Sequence, residues 1–117
     1  PSRRWLPKVR YADVLLMKSE AKIRNGGAGD EELNRVRSRV GASYREATLE
    51  NLLAERQLEF AWEGWRRQDL IRFDLFTRAY SSRPQLPDEG NGYTTVFPIP
   101  DKVRRMNPNL IQNPGYK

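Results

Sequence analysis

The sequence predicts an all-α fold, with a helical hairpin and two further helices over residues 10–80 and an irregular, extended tail over residues 81–117 packed on them. Three observations carry this. Apolar residues recur at the 3.6-residue period as far as Tyr80. Glycines at Gly26, Gly27, Gly29, Gly41 and Gly64 interrupt that period where helices need to close. Beyond Ser81 the period gives way to turns rich in proline and glycine. At 117 residues the chain is one domain's worth and can bury roughly two-thirds of its unfolded surface. A hydrophobic content of 38% is lean, as in a module that completes its core against something else.

The first helix is expected over about residues 10–25. Ala12, Leu15, Leu16, Ser19 and Ile23 line one face, and Val14, Met17 and Ala21 line nearly the opposite one, which suggests neighbours on both sides. "NGGAG" closes it, and Asp30 offers an N-cap with Glu31 and Glu32 in the following turn. The second helix, residues 31–40, buries Leu33, Val36 and Val40 and stops at Gly41. Thr48 is the better N-cap for the third helix, although "SYRE" at residues 43–46 also fits a capping box. That helix runs to about Glu63, Gly64 loosens or breaks it, and a fourth segment continues to about Tyr80. Then "SSRPQLPDEGNG" reads as a polar loop, "YTTVFPIP" as extended chain, "DKVRRM" as a helical turn, and Asn113-Pro114-Gly115 as a type II turn.

The stretch "ERQLEFAWEGWRRQDLIRFDLF" mixes ions into the apolar face. At 100° per residue, Arg56, Glu59 and Glu63 project from the stripe of Leu49, Leu52, Leu53 and Phe60; after Gly64, Arg66 and Asp69 fall beside Leu70, Phe73, Phe76 and Tyr80. Paired carboxylates suggest a glycosidase, but Glu59 and Glu63 lie one turn apart with Cβ atoms about 6 Å apart and point the same way. Glycosidase carboxylates approach a bond from opposite sides. Arg56, Arg66 and Arg67 would also keep both ionised, removing the proton a general acid needs. The expected role of Arg56, Glu59, Glu63, Arg66 and Asp69 is therefore a structural ionic network between helices, with no catalytic residue.

The absence of Cys and His removes disulfides, thiol and imidazole chemistry and nearly every zinc or iron site, so neither metal nor cofactor is expected. A net charge of +6 raises an anionic partner, yet 15 acidic residues are interleaved with the basic ones. Arg35, Arg37 and Arg39 fan over more than half a helix circumference, a poor stripe for tracking phosphates, so nucleic acid is not the expected partner. Trp5, Trp62, Trp65 and Tyr93 are aromatic platforms that sugars can stack on. Trp62 reads as core because it shares a face with Leu58; Trp65 and Tyr93 remain as ligand-contact candidates, with Tyr93 the better exposed.

"ERQLEFAWEGWRRQDLIRF" resembles the signature of the SusD/RagB family of outer-membrane nutrient-binding lipoproteins. "VFPIP" followed by "NPNLIQNPGY" resembles that family's C-terminal ending, and "RYADVLLMKSEAKIRNG" with "LNRVRSRVG" its preceding helical pair. The resemblance implies a tetratricopeptide-like hairpin in the C-terminal portion of a larger protein, with residues 1–117 a single domain. Glu55, Arg56, Glu59, Glu63, Gly64, Arg66, Asp69, Leu70 and Arg72 match the signature. It further implies a non-catalytic, cell-surface protein that holds an oligosaccharide or other nutrient for a SusC-like TonB-dependent transporter. Membrane attachment would be only through a lipid anchor outside these residues, and ligand specificity would vary in the loop of residues 81–92. Two rival readings are a helical-repeat scaffold for protein partners, which leaves the tail unexplained, and a basic nucleic-acid binder.

Overall fold

The computed structural model describes residues 9–80 and 82–116, so Trp5 and Ser81 lie outside the described residues. The chain divides into two compact units, Pro1–Arg66 and Arg67–Lys117. All regular elements among the described residues are helical, and extended pairing is limited to one isolated bridge between Tyr80 and Arg83.

The first unit holds α1 (Tyr11–Arg24), α2 (Asp30–Ser38) and α3 (Leu49–Glu59). Its core is Leu15, Leu16, Leu33, Val36, Leu52, Leu53 and Phe60. Helices α1 and α2 approach closely at Gly29, whose carbonyl accepts a 2.8 Å hydrogen bond from the buried Ser19 hydroxyl. A β-carbon at Gly29 would sit 2.5 Å from Ser19 Oγ and 2.7 Å from Ser19 O, so the crossing depends on the missing side chain. Thr48 caps α3 as expected, its hydroxyl accepting from the Asn51 amide at 3.1 Å.

Five expectations need correction here. Asp30 is the first residue of α2, and Gly29 stands at the N-cap. The Asp30 carboxylate instead accepts from the Ala47 amide at 2.8 Å and the Tyr44 hydroxyl at 2.9 Å, pinning the connection to α3. Val40 is exposed, because α2 ends at Ser38 and the chain turns over Gly41 at φ 69°. Helix α3 stops at Glu59, one turn short of Glu63, and residues 60–64 form turns with Trp62 at φ 67° and Gly64 at φ 82°. Trp62 is consequently off the helical period and fully exposed, and Leu58 is exposed with it. Val14 and Met17, on the second face of α1, are about half exposed rather than covered.

The second unit contains the rest of α4 (Arg66–Arg72), two 3-10 turns (Glu89–Asn91 and Tyr93–Thr95) and α5 (Asp101–Met106). The fourth helix ends at Arg72, with Asp74 at φ 57° in the turn that follows, so helical structure does not continue to Tyr80. No apolar side chain described in this unit is fully buried; Asp69 and Glu89 are. Glu89 organises the loop: it accepts from the Thr94 hydroxyl at 2.7 Å and the Leu86 amide at 3.1 Å, and it pairs with Arg83. The tail folds back along residues 96–99. Gln112 bonds both the amide and the carbonyl of Ile99, Asn113 donates to the Phe97 carbonyl, and the Tyr116 hydroxyl donates to the Val96 carbonyl. Arg67 of α4 donates to the carbonyls of Thr94 and Thr95 and lies over the rings of Phe97 and Phe76. Gly115, at φ 88°, with a 3.3 Å bond from the Tyr116 amide to the Asn113 carbonyl, gives the expected type II turn its shape.

Candidate functional site

Arg10, immediately before α1, gathers the acids at the end of α3. Its Nη1 lies 2.8 Å from Glu59 Oε1, while Nε and Nη2 form a fork on Glu63 at 3.0 and 2.7 Å. Nη2 also donates to the Glu59 carbonyl at 2.8 Å. That carbonyl belongs to the last helical residue, and a cation there satisfies a group that the helix end leaves open. This contact explains how α3 can stop one turn early. Arg39 approaches Glu59 from just beyond α2, at 2.8 Å. The two carboxylates hold the Arg10 guanidinium's pKa above its ordinary value, the hydrogen bonds it donates to Glu63 contributing most.

The remaining ions make further contacts. Arg56 is 3% exposed and donates to Asp13 of α1 at 2.8 Å. Arg37 pairs with Glu55 in a buried contact between α2 and α3 and donates to the Ser43 carbonyl at 2.8 Å. Arg66 donates to the Leu53 carbonyl at 3.1 Å. In the second unit, Asp69 accepts from Arg72 at 3.0 Å. Of the five residues expected in the ionic network, Arg56 pairs with Asp13 of α1, and Glu59 and Glu63 share Arg10. Among the described residues, Arg10 binds both of these acids and Arg39 binds Glu59. Sequence reasoning missed Arg10 and Asp13 as partners, although their spacing of three places them on one helical face.

Carboxylates that converge on one guanidinium cannot flank a glycosidic bond from opposite sides. Among the described residues no group of three or more His, Cys, Asp or Glu is placed to hold a metal ion, and no helix is long and apolar enough to cross a membrane.

Of the aromatic candidates, Trp65 is half-buried immediately before α4. Tyr93 is half-buried rather than open, because the tail covers it: Tyr116 packs edge-on at a centroid distance of 5.0 Å, and Gly115 lies so close that a β-carbon there would meet the Tyr93 ring. One side of Tyr93 still lines a shallow cleft of about 260 Å³ with Asn91, Val96, Asn113 and Pro114. A second groove, of about 420 Å³, lies between α1 and α2 and is rimmed by Arg10, Arg35 and Arg39.

The first unit is helical, with its acids and arginines largely paired with one another, and the second is rich in turns and carries an aromatic cleft. The family model described as the SusD family matches residues 2–116. The chain is 34% identical over 119 residues to the starch-binding protein SusD of Bacteroides thetaiotaomicron, an alignment covering 96% of this chain and 22% of that protein. It is 30% identical over 131 residues to a SusD-like protein of Formosa agariphila, covering 92% of this chain and 24% of the other. The chain belongs to the SusD family. It spans about a quarter or less of the length of these relatives.

Proposed function

We propose that this chain is the C-terminal part of a non-catalytic oligosaccharide-binding protein of the bacterial outer-membrane surface, which holds its ligand for a SusC-like TonB-dependent transporter. The observation that carries the reading is the family match over residues 2–116, joined to a relative named for starch binding that aligns along 96% of the chain. The geometry of the acids agrees with it, since Glu59 and Glu63 converge on Arg10 and serve the packing of α1 on α3. The half-buried Tyr93 and Trp65 are the proposed sugar-contacting aromatics, with Asn91 beside Tyr93 in the cleft. The ionic residues Arg56, Glu59, Glu63, Arg66 and Asp69 act in this reading as supports that register the helices.

Titration calorimetry of the 117-residue chain against neutral malto-oligosaccharides and a panel of other oligosaccharides tests the proposal. Binding to at least one, with no new reducing ends after prolonged incubation, is expected. Absence of binding across the panel, or release of reducing ends, would overturn it.

A further inference from the structure

The groove between α1 and α2 has a chemistry of its own. Its floor is apolar, formed by Ala12, Leu15 and Val36, and the largely exposed ring of Tyr11 forms one wall. Three arginines complete the lining, and no carboxylate is part of it. Its volume of about 420 Å³ falls in the range of small-molecule sites, roughly 300–1,000 Å³.

The three arginines differ in what they have left to offer. Arg10 is engaged by the Glu59 and Glu63 carboxylates and by the Glu59 carbonyl. Arg39 gives only Nη2 to Glu59, leaving Nε and Nη1 with no partner among the described residues. Arg35 has no side-chain hydrogen bond or ion pair among the described residues, and its guanidinium lies 5.6 Å over the Tyr11 ring. An uncommitted guanidinium held above an exposed aromatic wall, next to an apolar floor, suits a ligand with both a flat C–H face and an anionic group. The surplus of six positive charges on the chain acts in the same direction.

We infer that this groove binds an acidic sugar, a pyranose bearing a carboxylate or a sulfate, with the ring against Tyr11 and the anion on Arg35 and the free edge of Arg39. A planar guanidinium engages either oxyanion through two parallel N–H bonds. The inference rests on the glycan-binding reading and adds to it a second site and a charge preference.

The test is calorimetry of the full 117-residue chain with trigalacturonate, a sulfated disaccharide, maltotriose and a hexaglutamate peptide, at low and at physiological salt. At least one acidic sugar should bind about tenfold more tightly than maltotriose at low salt, with the preference shrinking as salt rises. Which of the two does so identifies the anion. Arg35→Gln should abolish the preference without changing maltotriose binding or the melting temperature, because the side chain is exposed and makes no side-chain hydrogen bond or ion pair among the described residues. Tyr11→Ala should weaken the acidic sugars. Equal affinity for maltotriose and both acidic sugars, or a preference that survives Arg35→Gln, overturns the inference and leaves the general glycan reading standing. Hexaglutamate binding as tightly as the acidic sugars also overturns it, showing that charge alone is recognised. If no sugar of either kind binds, both readings fall.

Discussion

Removing Arg56 would strand Asp13, which is 3% exposed and so has little access to water as a replacement partner. Breaking a buried pair in this way costs about 3–5 kcal/mol, so Arg56→Ala is expected to lower unfolding free energy by that order in urea melts. The double variant with Asp13→Ala should recover part of the loss, since it no longer leaves a lone buried charge; a single-variant loss below about 1 kcal/mol would show that water enters the pair. Trp62 behaves differently. Its backbone sits at φ 67°, a conformation that costs an L-residue roughly 1–2 kcal/mol, and its exposed ring gains no burial in return. Trp62→Gly should leave the urea midpoint unchanged or raise it, and a loss above about 1 kcal/mol would mean that the indole is covered in solution. The placement of Arg56 among apolar residues was legible as a burial signal, because an arginine on the apolar stripe of a helix needs a partner. Asp13 as that partner was not, since it lies 43 residues away in sequence.

At the scale of elements, the α1–α2 hairpin is fixed by one close approach. A methyl group at Gly29 would have to displace both the Ser19 hydroxyl and the Ser19 carbonyl, and the carbonyl is part of the α1 backbone. Gly29→Ala is expected to destabilise the chain by about 1–3 kcal/mol, as overpacking does. Gly27→Ala is the control: its nearest neighbour, Lys22 O, is 3.4 Å away, so thermal melts should show a much smaller change. Equal melting temperatures for the two variants would show that the hairpin adjusts. The "NGGAG" segment marked this turn without revealing which glycine is the contact, since composition locates a turn but not what it meets. The same limit applies to α3. Periodicity extends the helix to Glu63, yet the Arg10 guanidinium takes up the Glu59 carbonyl and the chain turns there. Local propensity cannot anticipate a cap supplied from 49 residues away.

Over the whole molecule, stability should depend on acidic pH through carboxylates held below their ordinary range. Glu32, with the Lys18 and Lys22 ammonium groups 2.8 and 2.6 Å from Oε1, is lowered to about 2, the Lys18 contact contributing most. Glu89 is lowered as well, first by the Thr94 hydroxyl and then by Arg83. A depressed carboxylate contributes stability that is complete above its unfolded value, near 4.5, and is lost as pH falls toward the folded value. The melting temperature should therefore drop between about pH 5 and pH 2, and Glu32→Gln should shallow that drop; an identical slope in the variant would remove Glu32 as a cause. By itself the sequence determined the helical class, the Thr48 cap, the Asn113-Pro114-Gly115 turn and the family, because period, capping chemistry and signature are local properties of the chain. Only the tertiary structure decided which arginine meets which acid, where α2, α3 and α4 end, and that Trp62 faces solvent while Tyr93 lies under the tail. Those outcomes depend on groups brought together from distant positions, and a charge on a helix specifies the need for a partner without specifying its address.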